Sequence, residues 1–216
     1  MSLVFHGHPL SSYCWKVLIA LYENGMPFEQ RLVDLGDPDA RAAFAALWPM
    51  AKMPVLEDRG RGTVVAETSI IIDYLDLHHP GPVRFVPVDP ERAREVRFWD
   101  RVYDLYVQGP MQRIVADRLR PDGQKDAFGV AEARALLATA LGMVERALGG
   151  RTWAAGEELT LADCAAMPAL HYADKVAPFG DSYPNALALL ERLRARPSVE
   201  RVLAEAGPYS HFFPTE

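Results

Sequence analysis

SLVFHGHPLSSYCWKVLIALYENGMPFEQRLV, residues 2–33, is the stretch whose reading decides the fold. It opens on a short apolar run, 2–6, and closes on an alternating one, 28–33, each bounded by Gly or Pro as strands tend to be. Between them Val17, Leu18, Leu21 and Tyr22 recur at helical spacing over 12–24, and Asn24-Gly25 stops that helix with residues suited to a left-handed cap. The stretch therefore reads as strand, helix, strand. Further along, 39–47 (DARAAFAAL) is an Ala-rich helix, and 54–57 and 63–66 are strands flanking an Arg59-Gly60-Arg61-Gly62 turn. A helix then starts at Thr68 with Ile71, Ile72 and Leu75 on one side. The pattern β-α-β-α-β-β-α over residues 1–80 predicts a small α/β domain.

Residues 81–90 (GPVRFVPVDP) are rich in proline and read as a linker. Beyond them, 91–216 read as an all-α domain. One long helix is expected over 91–119, and a second over 127–148 repeats Leu137, Leu141, Val144 and Leu148. A third opens at Thr160, where Thr160 and Asp163 match a variant capping box and Asp163 reads as a buried structural residue. Helices at 184–195 and 198–206 flank Pro197. The tail, 207–216, carries Tyr209, Phe212 and Phe213 and is expected to pack onto the body.

Composition narrows the function classes. Among 216 residues, 23 Lys and Arg face 29 Asp and Glu, a net charge of −6, so there is no excess positive charge to neutralise phosphates and nucleic acid is not expected as a partner. Two cysteines, Cys14 and Cys164, make neither a disulfide framework nor a zinc site, and both read as buried. No run approaches the length of a membrane span and the N-terminus lacks a secretory pattern, so no membrane segment is expected and the location expected is cytoplasmic. His6, His8, His78 and His79 have no carboxylate or cysteine at a supporting spacing, so no metal is expected.

Three places could carry chemistry. Ser11-Ser12-Tyr13-Cys14 lies where the first strand passes into the first helix, and free N–H groups at a helix start stabilise an anion. Taken alone, either serine reads first as a plain cap. Met53-Pro54-Val55 puts a proline at the head of a strand, which frees backbone groups to pair with an extended ligand. Glu67-Thr68 opens the third helix, with Thr68 placed as its cap and its hydroxyl free to grip a carboxylate. In this topology all three converge at one end of the sheet, where α/β sheets bind ligands. A thiolate donor, main-chain pairing and a carboxylate cradle together suit a small acidic thiol peptide.

Five segments in order then resemble the cytosolic glutathione transferases over essentially the full length. They are Ser11-x-x-Cys14-x-Lys16-Val17, Trp48 to Leu56, Glu67-Thr68-x-x-Ile71-x-x-Tyr74-Leu75, Pro87 to Ala93, and Gly156 to Asp163. The resemblance, to bacterial serine-type members with a zeta- or theta-like N-terminal motif, implies a thioredoxin-like N-terminal domain, an all-helical C-terminal domain and a homodimer. It implies glutathione as co-substrate, conjugated to small electrophilic, largely apolar substrates in detoxification. Residue by residue, it gives Ser11 the sulfur contact, with Ser12 as competitor. Met53 takes the backbone pairing, Pro54 the cis-proline, Glu67 and Thr68 the γ-glutamyl end, and Lys52 the glycine carboxylate. By the same analogy Tyr106, Met111 and Phe212 line the electrophile pocket, and His8 lies near the glutathione site. For Asp104 two readings stand: a solvated helix charge, the one expected, and a contact to the γ-glutamyl amino group across a dimer interface. Glutathione-dependent isomerases, dehalogenases and peroxidases use the same scaffold, as do non-enzymatic binding proteins; thiol transfer would want cysteine at position 11.

Overall fold

The computed structural model describes residues 2–214; the last two residues of the expected tail segment lie outside them. Four strands, β1 (Leu3–Gly7), β2 (Phe28–Leu32), β3 (Val55–Asp58) and β4 (Thr63–Ala66), form one sheet in the order β2-β1-β3-β4. β2 runs parallel to β1, while β3 and β4 are antiparallel, with Phe5 opposite Leu56 and Leu56 opposite Val65. Helix α1 (Ser12–Glu23) connects β1 to β2, α2 (Pro38–Leu47) connects β2 to β3, and α3 (Thr68–His78) follows β4. Alternation along β3 sends neighbouring side chains to opposite faces. Leu56 joins the main core with α1 and α3, and Val55 joins a smaller cluster with Val33 and Phe44 beneath α2.

The rest is helical: α4 (Pro90–Val102), a π-helical turn (Tyr103–Gln108), α5 (Gly109–Arg118), α6 (Ala127–Leu148), α7 (Leu161–Val176), α8 (Pro184–Arg194) and α9 (Pro197–Ala206). The regular helix expected over 91–119 is thus interrupted by a six-residue π turn. Pro110 supplies the reason. It has no N–H for the carbonyl four residues back, and its ring crowds that carbonyl; a widened turn relieves both.

α1 is buried from Cys14 to Leu21 because it is wedged between the sheet and α7 and α9. That includes Lys16, so its charge must be met inside the protein. Residues 81–89 of the expected linker have no helix or strand, α4 beginning at Pro90, yet Phe85 and Val86 are buried and donate their N–H groups to the Asp76 carboxylate at 3.2 and 2.7 Å. The capping pattern at α7 is realised, Asp163 accepting from the Thr160 N–H at 2.8 Å and its hydroxyl at 3.1 Å. The 22-residue α6 is long and apolar enough to cross a membrane by length and composition alone, though Glu132, Arg134, Glu145 and Arg146 interrupt its apolar run. Its Leu137, Leu141, Val144 and Leu148 point into the core, where the helix packs on α5 and α8.

Candidate active site

Ser11 is the N-cap of α1, in extended backbone; its hydroxyl oxygen accepts from the Cys14 N–H at 3.4 Å, and the hydroxyl also bonds the Cys14 thiol. Ser12 is the first residue of the helix; it is buried, and its oxygen accepts from Nε2 of Gln108 on the π turn. Burial pushes the Cys14 thiol up to about 11, so at neutral pH it is a packed side chain and not a thiolate. His8 turns away, its ring 4.9 Å from Tyr209, and lines neither of the cavities that meet at Ser11.

The first cavity, of about 480 Å³, is the more polar of the two and holds most of the residues singled out by sequence: Ser11, Lys52, Met53, Pro54, Glu67 and Thr68. The Met53-Pro54 bond is cis. Met53 lies just outside β3, and its N–H and C=O have no backbone partner among the described residues. Glu67 corrects the expected cap. It occupies the N-cap position at φ 67° without a side-chain cap bond, and Thr68, buried, is the first helical residue. The chain has one residue in which to turn from β4 into α3, and a left-handed Glu67 makes that turn. Ala51, at φ 49°, lines the same cavity. Strained non-glycine backbone of this kind gathers at binding sites. The N–H groups opening α3 therefore face the cavity without a capping side chain.

The helical half closes this cavity with Arg101, Asp104, Leu105 and Gln112. Asp104 is not a solvated charge. It is buried and pairs with the Lys16 ammonium at 2.7 Å, while Asp100 pairs with Lys16 at 2.5 Å. The i, i+4 spacing of the two aspartates puts both on the side facing α1. Arg101 bonds Asp100 at 2.8 Å and Asp104 at 2.6 Å and also donates to Ser69, whose hydroxyl donates to Asp100 at 2.8 Å. Burial raises the Asp104 carboxyl, with Lys16 opposing. Tyr13, on the same wall, is pushed up to about 12, first by burial and then by the Asp104 charge, and so stays a neutral phenol.

The second cavity, of about 390 Å³, is apolar, with Leu10, Met111, Val115, Leu119 and Tyr172 on its walls and Phe212 and Phe213 at its tail side. Phe213 stacks on Tyr172 at 5.5 Å and 26°, and the Tyr172 hydroxyl donates to the Leu10 carbonyl at 2.8 Å. Met111 is buried and Phe212 is mostly exposed, whereas Tyr106 points outward, about half exposed, and lines neither cavity. Ser11 and Gln112 line both cavities, while Ser12 lines the apolar one.

A reactive sulfur placed at the junction would have a hydroxyl and a helix N-terminus on one side and an apolar chamber on the other. Gln108, Gln112, Arg101 and Tyr172 escaped the sequence reading. For the first two the signal was the Gly109-Pro110 pair, which breaks helical phase and resets what faces inward. Among the described residues no group of three or more His, Cys, Asp or Glu side chains could hold a metal ion.

The chain matches two family models, described as the glutathione S-transferase N-terminal domain over residues 5–83 and C-terminal domain over residues 102–197. It is 29% identical to a glutathione S-transferase of Pseudomonas putida, with 94% of this chain and 92% of that protein covered. It is 32% identical to a glutathione S-transferase-like protein of Fusarium sp., with 74% and 72% covered. The crystal structure of a Methylobacillus flagellatus glutathione S-transferase with glutathione bound superposes with a TM-score of 0.85 at 25% identity, covering 93% of this chain and 98% of that one.

Proposed function

Because the chain belongs to the glutathione S-transferase family, we propose that Ser11 holds the glutathione sulfur as a thiolate where the two cavities meet. The thiolate then attacks an apolar electrophile seated in the second cavity. The observation that carries this reading is the place of Ser11, a helix N-cap that borders both chambers. The polar cavity suits the tripeptide. Free Met53 backbone groups match an extended peptide, and the uncapped start of α3 at Thr68 suits the γ-glutamyl carboxylate. Glu67 and Asp104 suit its ammonium, and Lys52 the glycine carboxylate.

The chemistry follows from charge. The thiol proton leaves to solvent, and the Ser11 O–H and the α1 N-terminus favour the anion left behind, so more nucleophile is present at neutral pH. Ser11 donates a hydrogen bond and does not itself attack. The apolar chamber desolvates the acceptor and holds it beside the sulfur.

We also read the chain as two domains, 1–80 and 91–216, from the switch to helix at Pro90. We read it as a homodimer from the exposed apolar side chains Ile70, Phe98, Leu105 and Tyr106 on α3, α4 and the π turn. Two free, buried cysteines support a cytoplasmic setting.

The test is Ser11→Ala with chlorodinitrobenzene as acceptor. A hydrogen bond to a charged group contributes about 1.5–3 kcal/mol, which at about 1.4 kcal/mol per tenfold is roughly a 10- to 100-fold loss of kcat with an upward shift of the pH–rate profile. Unchanged thiolate absorbance and turnover in Ser11→Ala would overturn the assignment.

A further inference from the structure

The apolar cavity holds one feature that the thiolate reading does not use. Ser12 faces this cavity and not the polar one. Its oxygen accepts from Gln108 Nε2, which directs its own O–H elsewhere, and no acceptor for that O–H is found among the described residues. Gln108 is itself buried, and its Oε1 has no hydrogen-bond partner among the described residues. A buried amide kept at the cost of an unsatisfied carbonyl calls for a purpose. Here it fixes the Ser12 hydroxyl beside a chamber whose walls are mostly apolar, and the π turn is what delivers it to Ser12.

From this we infer that Ser12 is a donor for the electrophile, positioned by Gln108, and that the preferred acceptors are apolar compounds in which an oxygen gains negative charge as sulfur adds. α,β-Unsaturated carbonyls fit; alkyl halides, whose charge departs on the halide, do not use it. In the favoured reaction the thiolate lone pair forms a C–S bond to the β-carbon. The C=C π pair moves toward the carbonyl, giving an enolate oxygen. The Ser12 O–H hydrogen-bonds that oxygen without giving up its proton, and the α-carbon then takes a proton from water. Ser12 would be a catalytic residue by this contact, and Gln108 a positioning residue acting through it. The inference rests on the thiolate site at Ser11.

The experiment compares glutathione addition to benzylideneacetone with displacement on benzyl chloride, two phenyl-bearing probes, in the full-length protein. The readout is the ratio of kcat/KM values. A donor to a developing charge gives a factor of about ten or more, so Ser12→Ala is expected to lower the benzylideneacetone-to-benzyl chloride ratio by at least that factor. Gln108→Leu is expected to lower it in the same direction, and Ser12→Ala/Gln108→Leu no further than Ser12→Ala alone. Gln108→Glu keeps the shape but offers a carboxylate that captures the Ser12 O–H, so it too should lower the ratio. A merely structural role would reduce both rates together and leave the ratio in place, and that result overturns the inference. Calorimetry with glutathione and the Ser11→Ala variant run alongside: a wild type that neither binds glutathione nor conjugates either probe refutes the Ser11 reading instead.

Discussion

Lys16→Met probes the ion cluster that joins the two halves of the molecule. The wild-type ammonium is 1% exposed and lies 2.5 and 2.7 Å from the carboxylates of Asp100 and Asp104. Methionine keeps much of the length and removes the charge, leaving two buried anions. Breaking a buried pair by deleting one partner costs about 3–5 kcal/mol. Arg101 remains on both aspartates at 2.8 and 2.6 Å, but it is half exposed, which places the expected loss near the low end, about 3 kcal/mol. For a chain of this size each kcal/mol shifts Tm by about 2–4 °C, so a fall of roughly 6–12 °C is expected. The sign with pH follows from Asp104, whose carboxyl burial already raises. Without Lys16 it rises further, so the folded variant takes up protons that the unfolded chain does not. A group of this kind stabilises below its unfolded pKa and loses that contribution as pH rises through the folded value. The gap between wild type and variant should therefore be widest at neutral pH and shrink toward about pH 4. Urea unfolding followed by tryptophan fluorescence across that range measures it. Equal stabilities at neutral pH, or a gap that does not narrow on acidification, would refute the reasoning.

Asp163, raised to about 6 by burial despite its bonds to Ala154 and Thr160, carries the same sign. The stability of wild type relative to Asp163→Asn should be greatest in acid and decline as pH rises through about 6, read from urea midpoints. Glu67→Gly relieves a left-handed backbone and should stabilise the fold by about 1 kcal/mol in calorimetric melting, while weakening glutathione binding in titration calorimetry. Phe213→Ala removes the stack on Tyr172 and should raise KM for an apolar electrophile several-fold, while the Kd for glutathione stays the same.

The fold was legible because its signals are local. The β-α-β run of residues 2–33, the Asn24-Gly25 stop and the Thr160–Asp163 cap each name their own conformation. The polar cavity was legible for a related reason: Ser11, Met53 and Glu67 sit at element boundaries, and boundaries are what sequence punctuation marks. What escaped reading depends on contacts far apart in the chain. Asp104 is buried because Lys16, 88 residues away, needs counter-charge. Tyr106 points outward and Gln108 inward because Pro110 forces a π turn, and a regular 3.6-residue period assigns both faces wrongly.

That π turn is a phase joint in an otherwise continuous rod. Before it Arg101, and within it Asp104, answer to the polar cavity; beyond it Met111 and Val115 answer to the apolar one. An unbroken helix would tie the two sets to one angular register, so repacking either would drag the other. With the joint between them, α5 can exchange Met111 and Val115 while α4 keeps Asp100 on Lys16, and the walls of the two cavities are free to change separately.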